Sequence, residues 1–85
     1  MNYRVVLSDL ADNQIRQLSR DAQTRIAKRL RQMADNPFLF VKRLTGIECY
    51  SLRVGDHRVI LKMEINQQIV LIVRVGHRRD IYKHV

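Results

Sequence analysis

Pro37 divides this chain into two stretches whose apolar residues recur with different periods. Before it, four apolar residues follow one another at spacings of four, four and three: Ala22, Ile26, Leu30 and Met33. This spacing lines them up along one side of an α-helix. After Pro37 apolar and polar residues alternate in "ECYSLRV", "HRVILKMEI" and "IVLIVRV", which is typical of β-strands. Because proline cannot continue a helix, the chain changes from helical to extended structure here.

The segment before the helices also has an extended pattern. "YRVVLS", residues 3–8, is rich in β-branched residues and predicts a short strand. Ser8 is placed to cap a first helix, which we predict to run through Leu18. The expected fold is α+β: a short N-terminal strand and an αα-hairpin packed on an antiparallel sheet whose last three strands form a meander. At 85 residues, residues 1–85 make a single domain.

Two loops set the predicted strand pairing. In "VGDHR", Gly55 and Asp56 suit a two-residue hairpin loop, which sets Arg53 opposite Arg58 and Val54 opposite His57. For the second hairpin we predict a three-residue loop, because a two-residue loop would turn Arg74 onto an otherwise apolar face. The predicted loop is Asn66, Gln67 and Gln68, and it sets Ile65, Met63, Leu61 and Val59 opposite Ile69, Leu71, Val73 and Val75.

The charge of the chain indicates an anionic partner. There are 16 Lys and Arg residues against 8 Asp and Glu, a formal charge of +8, and most of the cations are arginines, whose planar fork matches phosphate and carboxylate. Nucleic acid, an acidic protein and an anionic membrane surface all fit this charge. The longest apolar run, Ile69 to Val73, is too short to span a membrane. A single cysteine and the absence of a signal-peptide pattern favour a cytoplasmic location.

Several kinds of chemistry lack their sequence motifs. The chain has no GxGxxG, P-loop or HExxH motif and only one cysteine, so nucleotide-cofactor and zinc chemistry are without their ligands. The histidines are scattered, and no two carboxylates are predicted to share a face as glycosidase chemistry requires. We therefore predict no cofactor and no metal.

A cluster of cations remains. The predicted register puts Arg53, Arg58 and Arg74 on the face opposite the apolar one, and the chain then continues into Arg78 and Arg79. Like charges set directly opposite each other are destabilising, so an anion bound between them would explain the cluster. Positioned arginines can neutralise the charge that develops when a phosphodiester is cleaved without a metal ion.

Phosphodiester cleavage also needs a group that moves a proton. Tyr82 is one candidate, because neighbouring cations stabilise its phenolate. His77 is the other, because imidazole titrates near neutral pH. Each residue also has a structural interpretation: Tyr82 as an aromatic residue that covers the core, and His77 as a surface residue at a strand end. The sequence leaves these alternatives open.

Three segments together resemble a known family. "KRLTG", "CYSLRVGDHRVIL" and "VGHRRDIY", in this order after two helices, look like the RelE toxins of the RelE/ParE superfamily of toxin-antitoxin systems. The resemblance implies an endoribonuclease, or mRNA interferase, that cleaves messenger RNA in the ribosomal A site and so inhibits translation. It implies a cognate antitoxin, the ribosome and mRNA as partners, with no membrane and no small-molecule cofactor.

The resemblance also implies roles for individual residues. Arg58 matches the strand arginine that contacts the scissile phosphate, and Arg78 matches a second arginine that assists the transition state or leaving group. Tyr82 matches a C-terminal tyrosine that stacks on a base and takes part in proton transfer. Arg53 matches one of two strand lysines in the family's site.

One position departs from the family pattern. Ser51 stands where the second lysine is expected, and His77 is a candidate to compensate for the lost cation. The further residues expected to contact RNA phosphates are Arg74, Arg79, Lys83 and Ser51. Two other functions stay open: a ParE-like toxin that acts on DNA gyrase without cleaving RNA, and a non-catalytic basic module that binds nucleic acid.

Overall fold

Five strands form one sheet in the computed structural model, which describes residues 2–44, 46 and 48–81. The elements are β1 (Arg4–Leu7), α1 (Asp9–Arg16), α2 (Arg20–Asp35), a short 3-10 helix (Pro37–Leu39), β2 (Val41–Arg43), β3 (Tyr50–Val54), β4 (His57–Glu64) and β5 (Ile69–His77). The strand order is β1-β5-β4-β3-β2. The α+β class and the three-stranded meander are confirmed.

The sheet differs from the expected one at both edges. β1 joins β5 in parallel, so the sheet is mixed rather than antiparallel. β2, which the sequence interpretation did not assign, pairs antiparallel with β3. Its three residues are too few to show an alternating pattern, and two of them are charged.

Both helices begin at a serine. The Oγ of Ser8 accepts the backbone N–H of Ala11 at 3.0 Å, and the Oγ of Ser19 accepts that of Ala22 at 3.2 Å, as helix N-caps do. α1 ends at Arg16, two residues earlier than predicted. Gln17 is its C-cap, and Leu18 connects it to Ser19, the N-cap of α2.

The core lies between the two helices and one face of the sheet, which we call the helix face. From α2, Ile26, Leu30 and Met33 are buried, as predicted. Facing them from the sheet are buried residues of three strands: Leu52, Val54, Val59, Leu61, Val70, Ile72 and Val75. The part of the chain that the structure describes has no helix long and apolar enough to cross a membrane.

The second hairpin is not the predicted one. Its strands end at Glu64 and start again at Ile69, which pair with each other, so the loop is residues 65–68 and holds four residues rather than three. Three predicted pairs are therefore wrong: Ile65 with Ile69, Met63 with Leu71, and Leu61 with Val73.

A bulge in β5 explains why the far end of this hairpin is nevertheless as predicted. Val73 is an extra residue in β5, opposite the step from Ile60 to Leu61. It shifts the ladder by one residue. Beyond the bulge, Val59 pairs with Val75, in agreement with the sequence interpretation.

Side chains from the start of the chain hydrogen-bond to the backbone around this bulge. Ser8 Oγ donates to the carbonyl of Val73 at 2.8 Å, and the Oε1 of Gln14 accepts the N–H of Val75 at 2.6 Å. β1 ends at Leu7, so it does not pair with this part of β5. The two side chains thus provide partners for backbone groups that the bulge and the end of β1 would leave unpaired.

Candidate functional site

The hairpin between β3 and β4 has the predicted pairing. Gly55 begins its two-residue loop with φ +59, a conformation that glycine adopts without steric cost. Arg53 pairs with Arg58, and Val54 with His57. Because Val54 belongs to the core and side chains alternate along a strand, Arg53 and Arg58 lie on the opposite face, which we call the arginine face.

Two further strands contribute to the arginine face. Arg58 pairs with Gly76 of β5. In the next row, Ile60 pairs with Ser51 on one side and with Arg74 on the other. The structure therefore brings Ser51, Arg58 and Arg74 onto one surface together with Arg53.

The middle of this surface is buried although it faces away from the helices. Ile60 is 2% exposed and Ser51 is 8% exposed. Arg58 and Arg74 are half-buried, whereas Arg53 is exposed. Arg58 also donates from Nη1 to the carbonyl of His57 at 3.3 Å. The cations thus surround a small apolar patch, and Arg58 is partly held in place by the protein.

The chain folds back over this surface after β5. The N–H of Arg78 donates to the carbonyl of Asp56 at 2.8 Å, which ties the end of β5 to the β3–β4 loop. Ile81 is 4% exposed, and a Cβ added to Gly76 would lie 3.1 Å from its Cδ1. Ile81 packs directly over this glycine, so a larger residue here would require Ile81 to move by a few tenths of an ångström. The turn keeps Arg78 beside the hairpin that carries Arg53.

His77 lies on the other side of the sheet. It pairs with His57, and the two rings contact edge to face with centroids 6.0 Å apart. Its Nδ1 accepts the N–H of Arg79 at 3.2 Å, so this ring supports the turn that carries Arg78 and Arg79, both of which are exposed. The structure does not bring His77 to the arginine face. Tyr82 and Lys83 lie outside the described residues.

A cation beside Ser51 was missed by the sequence interpretation. Lys42 of β2 pairs with Ser51, which places it on the arginine face beside the position where a lysine was expected. The segment "VKRL" carries too short a pattern to reveal the strand. The chain therefore has a lysine next to Ser51, although not at the same position.

A surface with these groups can bind a phosphate diester. Arginine presents several N–H donors in a fixed plane and remains charged. Hydrogen bonds between such donors and phosphate oxygens are among the stronger ones in proteins. Cations from β2, β3, β4 and β5 surround the patch, so an extended anion could contact several of them at once.

The fold and this surface define a small α+β domain with two helices on one side of a five-stranded sheet and a cationic surface on the other. Residues 5–82 match a family model described as the ParE toxin of the type II toxin-antitoxin system parDE. An Escherichia coli protein whose name describes it as a RelE-like toxin is 32% identical over 87 aligned residues, which cover 96% of this chain and 92% of that protein. The chain belongs to the RelE/ParE family of type II toxins.

Solved structures share the fold. The RelBE2 toxin-antitoxin complex of Mycobacterium tuberculosis aligns with a TM-score of 0.86 at 21% identity, over 92% of this chain and 100% of that one. A RelE–RelB complex of Pyrococcus horikoshii aligns at 0.79 and 24% identity, over 92% and 97%. A mutant of Escherichia coli RelE in the free state aligns at 0.81 and 21% identity, over 95% and 88%. At these identities the likeness concerns the fold.

Proposed function

We propose that this toxin is a ribosome-dependent endoribonuclease that cleaves messenger RNA in the A site and inhibits translation. The observation that carries the proposal is the pairing of Arg53 with Arg58, with Arg74 on the same face and Arg78 tied to the same hairpin. Like charges set opposite each other destabilise a sheet. A bound RNA phosphate would turn this repulsion into attraction.

The proposed reaction is a metal-independent transesterification. The ribose 2′-hydroxyl oxygen attacks the adjacent phosphorus, the bond to the 5′-oxygen breaks, and the products carry a 2′,3′-cyclic phosphate and a 5′-hydroxyl. Arg58 and Arg78 would stabilise the negative charge that develops on the phosphoryl oxygens, while Arg53 holds the RNA backbone. Since arginine stays protonated, its role is charge stabilisation rather than proton donation.

The reaction needs one proton removed from the 2′-hydroxyl and one delivered to the leaving 5′-oxygen. Because His77 lies on the helix face beside His57, it would have to leave its contact with the N–H of Arg79 to reach the phosphate. We therefore propose Tyr82 as the proton-transfer group. The indirect role of His77 would be to hold the turn that carries Arg78.

We further propose that a cognate antitoxin inhibits this toxin. The chain shares its fold with toxins that were solved in complex with RelB antitoxins. The formal charge of +8 suits an acidic segment that folds on binding. A toxin that acts on ribosomes with such a partner would work in the cytoplasm.

A ParE-like toxin that acts on DNA gyrase by protein contact is the second candidate. The description of the matching family model supports it. The arginines at positions 58 and 78, together with Tyr82, count against it, because this set resembles the RelE site.

One experiment would separate the two candidates. The toxin is induced with and without the neighbouring gene product, and mRNA 5′ ends are then mapped on ribosomes. We expect cuts in mRNA on ribosomes, and we expect Arg58→Ala and Arg78→Ala to reduce cleavage by about 10²-fold or more, as loss of a transition-state donor does. Arg31→Ala, which removes an exposed arginine from α2, is the matched control and should cut like the wild type.

Other outcomes would contradict the nuclease. Intact mRNA with gyrase-dependent DNA damage would identify the ParE-like function. Salt-sensitive nucleic-acid binding with neither mRNA cleavage nor toxicity would identify a binding module.

A further inference from the structure

A second cationic surface lies next to the arginine face. β2 pairs with β3 as far as Leu52, so the last two residues of β3 extend beyond it. Between this end of β3 and α2 runs an open groove of about 470 Å³. Its lining is Arg25, Lys28, Arg29, Gln32, Arg53, Val54 and Gly55.

The helical side of the groove is one stripe of α2. The lining positions 25, 28, 29 and 32 recur at i, i+3, i+4 and i+7, which places them on one side of the helix. Three of these four residues are cations. Arg25 is paired with Asp21 at 3.0 Å, but both side chains are largely exposed, and a surface ion pair of this kind is weak. Arg25 therefore remains available to a phosphate.

Arg29 is half-buried, whereas Arg25 and Lys28 are exposed. The guanidinium of Arg29 lies over the ring of Phe40, 4.9 Å from the centroid, and its Nη1 donates to Gln32 Oε1 at 3.4 Å. Its Nε is buried without a hydrogen-bond partner among the described residues. A guanidinium held in this way loses less freedom when it binds an anion than a mobile one does.

Arg53 connects the groove to the site. It lines the groove and pairs with Arg58 on the arginine face. We propose that the groove binds the sugar-phosphate backbone of the single-stranded RNA on one side of the cleaved bond. This proposal rests on the proposed nuclease function. The RNA would pass from the arginine face around the end of β3 onto α2.

The lining favours RNA over a protein segment. A segment that folds on binding must bury apolar surface to offset its ordering, and Val54 is the only aliphatic residue in the lining. The larger exposed apolar side chains, such as Val6, Leu7 and Leu10, belong to other elements. A phosphate backbone needs only positioned cations.

The test compares two RNAs and two double variants of the full chain. The probes are 2′-O-methyl RNAs, which lack the attacking hydroxyl, of about 4 and about 15 nucleotides. The groove variant is Arg25→Gln with Lys28→Gln. The control is Arg20→Gln with Arg31→Gln, which removes the same charge from the same helix at two exposed positions outside the groove. Binding is followed by fluorescence anisotropy over a range of salt concentrations.

We expect the groove variant to bind the long RNA more weakly than the control does. The plot of log K against log salt has a negative slope, and each lost phosphate contact makes it less steep by about 0.7 for a single strand. Two lost contacts should therefore make it less steep by about 1.4. Binding of the short RNA should be the same in both variants, because it is held by the arginine face.

Two results would overturn the inference. The groove variant could match the control on both RNAs, and a loss of affinity for the antitoxin in that variant would then make a protein the occupant. It could instead lose both RNAs equally, which would make the groove part of the site rather than its extension. Failure of the nuclease proposal is recognised separately, because mRNA on ribosomes would then stay intact whatever the two variants bind.

Discussion

The two faces of β4 differ in burial and in charge. On the helix face, Val59 and Leu61 are 0% exposed and belong to the core. On the arginine face, Arg58 and Lys62 stand on either side of Ile60, which is 2% exposed. The first face is arranged for burial alone. The second combines a buried patch with repelling cations, a conflict that is expected where a protein binds a ligand.

The arginine face also offers apolar surface that can help to position its cations. Long arginine side chains can pack their stems along apolar surface and keep their charged ends in water. The buried patch of Ile60 and Ile81 offers such a surface beside Arg58 and Arg74. Each face thus needs its apolar residues, one for stability and the other for positioning.

Leu61→Ala should have the largest effect on stability. The side chain is fully buried in the core, and such truncations lower the free energy of unfolding by about 2–5 kcal/mol. Lys62→Ala, the next residue on the exposed side, should change it by less than about 0.5 kcal/mol. Urea unfolding of both variants measures the difference. Equal losses would mean that the two faces of β4 do not differ as described.

Gly76→Ala should have the next largest effect, and it tests the packing on the arginine face. The new Cβ would lie 3.1 Å from Ile81 Cδ1, and overpacking of this kind costs about 1–3 kcal/mol. We expect the turn that carries Arg78 to shift and the proposed mRNA cleavage to fall. Adding Ile81→Val removes the Cδ1 atom and should restore part of both losses. If the double variant is worse than Gly76→Ala, the close contact is not the cause.

Ser8→Ala should cost about 0.5–2 kcal/mol, the range for loss of a helix cap. The loss should be at the upper end, since Ser8 Oγ also donates to the carbonyl of Val73. Ser19→Ala removes a cap alone and is the matched comparison. Thermal unfolding should rank Ser8→Ala as the more destabilising variant, and the reverse order would show that the bond to the bulge adds nothing.

Arg53→Gln should have the smallest effect on stability, and in the opposite direction. Removing one of two paired cations should raise the free energy of unfolding by up to about 1 kcal/mol, the upper range for a cross-strand pair. The same variant should slow the proposed cleavage of mRNA. Arg31→Gln, an exposed arginine of α2, should change neither. A destabilised Arg53→Gln variant would show that the two arginines do not repel each other in the folded protein.

The sequence predicted best where a local signal was strong. Gly55 and Asp56 specify a two-residue loop, and the pairing of Arg53 with Arg58 followed from it. The second hairpin has no such signal, because every residue from Ile69 to Val73 is apolar and any register buries apolar side chains. The backbone around the bulge at Val73 hydrogen-bonds to Ser8 and Gln14, which lie about 60 residues away in sequence.

The positions of the candidate site residues were also predicted only in part. Arg74 lies on the predicted face because the one extra residue of the bulge offsets the one extra residue of the loop. His77 was expected to serve the site, but β5 stays paired as far as this residue, and alternation turns it to the helix face beside His57. Lys42 was missed because it depends on a three-residue edge strand. These features arise from distant contacts that a local pattern does not contain.

The parallel pairing of β1 with β5 has a consequence for synthesis of the toxin. The first strand finds its only described neighbour in β5, so β1 cannot take its place in the sheet until β5 has been made. Contacts of such long sequence separation form slowly. Arg74 and Gly76, which complete the arginine face, also belong to the last strand. The surface proposed to act on ribosomes therefore cannot assemble until β5 has been made.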